Sequence, residues 1–467
     1  MTDTAGGASA PHRDNFKRTL GLPSLVAVAI GLVVGQGPIV SAMQGFALGG
    51  SDFLIALVIA FFIALFSIFS FAELSLMFPR AGTLGSYTEV AMGHFPAMAS
   101  VLGGYVAVAF FGLTAELLLV GFVTNSVFPW ANPTVVALVI LAAVTVVNIM
   151  GTDIFAKVQN LLAYSMAAVM IMVGLGALFS LGHAVPDGVQ PFANFTSLTS
   201  NGWVGLIGLA IWMLIAEEFV CPLIEESKDP ERNVPKAMIL GLIGVTVVYL
   251  VFCFGAMKFM TPDMILGSKT PHIDYVTLVF GPGAMWVAVV IALTAGLSTI
   301  NTVIAAIPRM VYGLAHNGQA PKMFMTLHPT AKTPWITIVA FAIGVVITLL
   351  TAGNNFDTVI ALLIAGGALW LMAYIVAHLD VMILRRRYPD MARPFRTPFY
   401  PVPQIVGIVA MIYVIWHNSP APELTVQIWT YTGTTLAIVL VVSALWVTLV
   451  MKKGLFTPET PKHALED

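Results

Sequence analysis

The sequence predicts an all-α polytopic membrane protein with twelve transmembrane helices, and three observations predict it. The chain of 467 residues is 58% hydrophobic and only 9% charged, with a mean hydropathy of +0.91; a soluble globule carries about 25% charged residues. Its apolar runs recur at the length that crosses a bilayer, about 20 residues. Lipid offers the backbone no hydrogen-bond partner, so such runs are helices rather than strands. Finally, the basic residues alternate with the runs in the way that a fixed orientation requires.

A polar tail, residues 1–22, comes first. The apolar run behind it is too long for a cleavable signal and lacks a small-residue cleavage site. Approximate spans follow at 23–47, 53–77, 98–124, 133–150, 156–181, 203–224, 236–259, 283–313, 335–351, 356–383, 402–418 and 427–450, and a polar tail closes the chain at 451–467. Of the 21 Lys and Arg residues, only Lys258 and Lys269 fall outside the segments that one face would carry. That bias puts both chain ends in the cytoplasm, and the expected location is the plasma (cell inner) membrane. Cys221 and Cys253, the two cysteines, sit in apolar runs and read as buried thiols.

Two spans are interrupted. The first contains Gly35-Gln36-Gly37-Pro38, and a proline there breaks the hydrogen-bond ladder. The sixth carries Ala216-Glu217-Glu218, with Pro222 shortly after. Ionisable groups at this depth are costly, roughly 2.5–3.5 kcal/mol for an Asp on insertion scales, and a chain keeps them to line a cavity, carry protons or hold a cation. Interruptions at corresponding positions, five helices apart, point to an inverted repeat with a binding site at the midplane.

Four local motifs carry a resemblance. They are Glu73-Leu-Ser-Leu-Met-Phe-Pro79-Arg-Ala81-Gly82, Glu225-Glu226-Ser-Lys-Asp-Pro230-Glu-Arg232-Asn233-Val-Pro235, Arg309-Met-Val-Tyr312-Gly-Leu-Ala315-His-Asn-Gly318, and Arg393-Pro394-Phe395-Arg396-Thr-Pro398-Phe-Tyr400-Pro401. In order and spacing they resemble the signature runs of the amino acid–polyamine–organocation superfamily across nearly the whole chain. The resemblance implies a 5+5 inverted-repeat transporter fold, residues 23–181 for helices 1–5 and 203–383 for helices 6–10, with two extra helices at 402–450. It also implies transport of amino acids, polyamines or related amines. Three departures stand out. The usual Gly-Ser-Gly-Ile of helix 1 is Gly35-Gln36-Gly37-Pro38, and the usual Gly-Phe-acid of helix 6 is Ala216-Glu217-Glu218. The helix 5 lysine that replaces a sodium ion in many proton-coupled members aligns with Met166.

These residues suggest a chemistry. Carriers of this type hold a substrate carboxylate on free N–H groups where helix 1 resumes. Pro38 has no N–H and suits the first position of the restarting helix; Glu217, Glu218 and Glu116 add acidity. A cationic substrate is therefore expected, a polyamine or a monoamine without a carboxylate, moved by alternating access. The alternative is an amino acid permease or exchanger for cationic or neutral amino acids. Candidate binding residues are Gly35, Gln36, Gly37, Ile39, Glu116, Ala216, Glu217, Glu218 and Phe219, with Glu218 as ammonium partner. Coupling falls to protons on Glu116, Glu217 or Glu218, or to sodium near Ser298 and Thr299, or the carrier works by plain exchange. Trp212, Trp370 and Tyr374 read as packing residues, and Asp52 and Glu73 as acids solvated at helix ends. No His-Glu-x-x-His or comparable constellation suggests an enzyme, and no cofactor, metal or nucleic-acid partner is expected. The partners are the small-molecule substrate, a coupling ion and membrane lipid, in a monomer or weak homo-oligomer.

Overall fold

Apolar sequence in lipid has to close its own backbone hydrogen bonds, and the computed structural model is helical throughout its spans. It describes residues 16–195, 202–268, 270–353, 356–419 and 422–462. The rest of both tails and Lys269 lie outside the described residues. In chain order the helices are α1 (Leu22–Val33), α2 (Gln36–Gly49), α3 (Asp52–Met77), α4 (Leu84–Ala91), α5 (His94–Val101) and α6 (Val108–Val127). There follow α7 (Pro133–Met150), α8 (Thr152–Leu178), α9 (Ile207–Trp212), α10 (Pro230–Phe259), α11 (Pro262–Leu266) and α12 (Pro271–Phe280). The last are α13 (Met285–His316), α14 (Trp335–Ala352), α15 (Phe356–Arg387), α16 (Val402–Trp416) and α17 (Pro422–Leu445).

Ten helical stretches among the described residues are long and apolar enough to cross a membrane. The bent pair α1–α2, kinked by 62°, makes an eleventh, and α16 is a shorter apolar helix. The sequence-derived spans coincide with these to within a few residues. The largest differences have local causes: α10 begins at Pro230 because a proline is preset for the first helical position and tolerates the polar turn that follows. The short helices α4, α11 and α12 fill segments that read as loops.

Burial sorts the spans. Leu161, Val139 and Ile347 are exposed on α8, α7 and α14, as lipid-facing side chains are, and α17 shows an exposed apolar face through Val426 and Ile438. Inside the bundle, helices approach closely at small residues. A Cβ on Gly241 of α10 would lie 2.5 Å from the Cβ of Ala29 on α1. Gly313 at the end of α13 meets the backbone of Gly82, where a Cβ would come within 2.1 Å of the Gly82 Cα.

The face that carries the chain's basic residues is sealed by polar contacts. Arg309 is buried and donates to Glu226 at 2.6 and 2.8 Å, while Glu226 also accepts from Thr152. Glu73 is fully buried rather than solvated: Arg385 donates to it at 2.6 and 2.8 Å, and Arg393 pairs with it at 3.3 Å. Its expected solvation fails because the chain after α15 folds back over the end of α3. On the same face the C-terminal tail docks beside α5, where the N–H of Phe95 donates to the Leu455 carbonyl and that of Glu459 to Glu89. Burial raises the Glu459 carboxyl, but hydrogen bonds from Lys453 and His94 outweigh it and hold the group at about 2. Cys221 and Cys253 are free and buried.

Candidate functional site

The two interruptions face each other. Helix 1 breaks at Val34 and Gly35, a residue or two earlier than the Gly-Pro dipeptide suggests. Gln36, Gly37 and Pro38 form the first turn of α2, where proline's missing N–H is one that no helical partner would have used. Helix 6 stops at Trp212, turns through Met213–Ala216 and continues as a tight 3₁₀ helix over Glu217–Glu226.

Ala216 carries the strain of that turn. Its φ of 125° belongs to the region that favours glycine, and glycine is the residue that the resemblance leads one to expect there. A non-glycine residue in such a region costs about 1–3 kcal/mol. Ala216→Gly should therefore raise the melting temperature of the purified protein, by an amount worth about 1 kcal/mol after glycine's extra chain entropy. Melting below the parent would show that the turn is not strained.

Between the breaks lies a cavity of about 90 Å³, large enough for several water-sized groups. Gly35, Pro38, Glu116, Ala216, Phe219 and Trp370 are among its walls, and most of the rest is aliphatic. The structure brings together Gly35, Glu116, Ala216 and Phe219 from the expected set, with Thr299 beside them. Gln36 is 3% exposed and turns away from the cavity walls, its side-chain amide donating to the Ala292 carbonyl at 3.0 Å. Ile39 is fully buried, and its N–H returns to the Gly35 carbonyl. Gly37 sits against Leu363 and Trp212.

The acids separate by role. Glu116 reaches across from α6 and accepts the backbone N–H of Gln36 at 3.0 Å. Glu218 does not line the cavity; Trp370 Nε1 donates to it at 2.9 Å, Tyr105 at 3.4 Å, and the Tyr374 hydroxyl also donates. Trp370 and Tyr374, expected as packing, thus act as hydrogen-bond donors, and each also meets its neighbours edge-on. Glu217 is 2% exposed, and its Oε1 has no hydrogen-bond partner among the described residues.

A residue that sequence reasoning missed is Gln159 on α8. Its Nε2 donates to the Ala27 carbonyl of α1 at 3.1 Å and to the Ser298 hydroxyl of α13 at 2.8 Å. Its Oε1 accepts from Asn301, which accepts in turn from Asn148. Thr299 donates to the Gly31 carbonyl at 3.3 Å. So of the two hydroxyls expected near sodium, Ser298 is joined to a helix 1 carbonyl through an amide, and Thr299 bonds one directly. The available signal was Gln159 itself, a carboxamide on an otherwise apolar helix face, two turns before Met166.

A bundle of apolar helices with two facing breaks around a small cavity is the architecture of a membrane carrier. The chain belongs to the amino acid permease family, which it matches over residues 20–444. It is similar to the branched-chain amino acid permease BcaP of Bacillus subtilis, at 24% identity over 91% of this chain and 93% of that relative. It resembles the methylthioribose transporter of Bacillus subtilis at 26% identity, covering 90% and 92% of the two chains. The serine/threonine exchanger SteT from the same organism is 24% identical over 86% of this chain and 91% of its own length. The protein is a multi-pass membrane transporter and not an enzyme.

Proposed function

We propose that the protein is an amino acid permease or exchanger of the plasma membrane whose substrate is a small neutral amino acid. The observation that carries this is the cavity: it is small, mostly aliphatic, and Glu217 and Glu218 are not among its walls. The counter-charge that an amine substrate would need from Glu218 is already engaged by three side-chain donors. A branched-chain amino acid permease and a serine/threonine exchanger among the relatives agree with an amino acid cargo.

One observation favours a second reading, an amine without a carboxylate. Pro38 lacks an N–H, and Glu116 holds the N–H of Gln36, so the start of α2 has fewer donors for an incoming anion. Thermal melting of the purified protein separates the two. Alanine, serine, valine or leucine at about a hundredfold excess over its Kd should stabilise by about 2.7 kcal/mol. Putrescine and the decarboxylated analogues should leave the melt unchanged. Stabilisation by an amine, with none from its parent amino acid, would reverse the choice.

A further inference from the structure

We infer that Glu116 is a resident carboxylate that occupies the substrate's anion site and leaves it on taking up a proton, so that one proton binds with each amino acid. The inference rests on the amino acid reading above and names how that cargo is admitted.

The start of α2 is poor in donors. Pro38 supplies none, and the N–H of Ile39 is spent on the Gly35 carbonyl. Gln36 and Gly37 remain, and a helix N-terminus bearing free N–H groups attracts an anion. Glu116 already accepts the Gln36 N–H at 3.0 Å. This contact is not local, because Glu116 comes from α6, 80 residues further along the chain. The side chain is only 4% exposed, it lines the cavity with Gly35, Pro38 and Thr299, and its second oxygen has no partner among the described residues. A carboxylate therefore stands inside the cavity, in the place where a substrate carboxylate would bind.

What faces it leaves no room for a second negative charge. On α13 the neighbours are Gly296 and the Thr299 hydroxyl, which is committed to Gly31. On α10 the titratable neighbour is Tyr249, whose hydroxyl donates to the Val33 carbonyl at 3.0 Å. The facing break brings no cation to the cavity: its acids, Glu217 and Glu218, lie outside the walls, and Ala216 and Phe219 are what it presents there. No Lys or Arg among the described residues lines the cavity. An amino acid entering with Glu116 ionised would bring two carboxylates to the same short stretch of N–H groups, of which Glu116 already holds one, and like charges sharing a site favour protonation of one of them. A proton from water on Glu116 turns the acceptor into a donor and releases the Gln36 N–H to the substrate. The O–H bond on Glu116 forms as one O–H bond of a hydronium ion breaks and leaves water, and no other covalent bond changes.

The test is calorimetry on the purified wild-type protein, with an amino acid that stabilises it, in two buffers of different ionisation enthalpy. One proton should be taken up per amino acid bound, and affinity should rise about tenfold for each pH unit lowered while Glu116 is ionised. Glu116→Gln should bind with no proton uptake and a flat pH profile, and Glu116→Asp should restore part of the slope. An amino acid that binds the wild type without proton uptake overturns the inference alone. So does an unchanged slope in a Glu116→Gln protein that melts normally. If Glu116→Gln does not fold, the wild-type proton count decides by itself. Binding of no amino acid at any pH overturns the substrate reading and this inference with it.

Discussion

Arg309→Met is expected to destabilise the protein by about 3–5 kcal/mol, because it strands a buried carboxylate. Arg309 is 1% exposed, and its guanidinium is the cationic partner of Glu226, which is equally buried. The same guanidinium donates to the Ala305 carbonyl and reaches Thr152 at 3.4 Å. One side chain thus joins α13, the start of α8 and the end of the 3₁₀ segment. Replacing both partners, as Arg309→Met with Glu226→Leu, should recover much of the loss, since two apolar groups of similar volume carry no unpaired charge. The measurement is thermal melting in detergent. A single mutant that melts with the parent, or a double mutant no better than the single, would show that the pair is not the lock that the geometry describes.

Glu218→Leu should abolish uptake and destabilise by several kcal/mol. Three buried donors, Tyr105, Trp370 and Tyr374, converge on the Glu218 carboxyl. Each one left without an acceptor costs about 1–3 kcal/mol. Glu218→Gln retains a carbonyl acceptor and should fall much closer to the parent in both melting and amino acid binding. This pair of variants asks whether Glu218 holds the helix 6 break in place or holds a substrate ammonium. If Glu218→Gln keeps the parent's melting temperature yet loses all binding, Glu218 is a ligand and the role assigned here is wrong.

The fold was legible because it follows from composition and length. Apolar runs of span length have one backbone solution in lipid, and the breaks announce themselves through Gly35–Pro38 and the adjacent acids of helix 6. The site was only half legible. Charge identity can be read from a sequence, but the direction of a side chain at a break cannot. Glu217 and Glu218 looked like substrate partners, yet the turn through a positive φ at Ala216 and the tight winding after it carry both away from the cavity walls. Glu116, which no motif supported, is the acid that lines it. Gln159 was invisible for a related reason. Position along α8 suggested Met166, whereas contact depends on where α1 and α13 cross α8, which only tertiary packing decides.

The Gln159 bridge has one more consequence. A join made by a bound ion contributes according to how far the ion's concentration exceeds its Kd, so it slackens as the medium is diluted. The amide that joins Ala27 and Ser298 is covalently part of the chain and has no concentration term. This link between α1 and α13 therefore needs no bound ion to hold it.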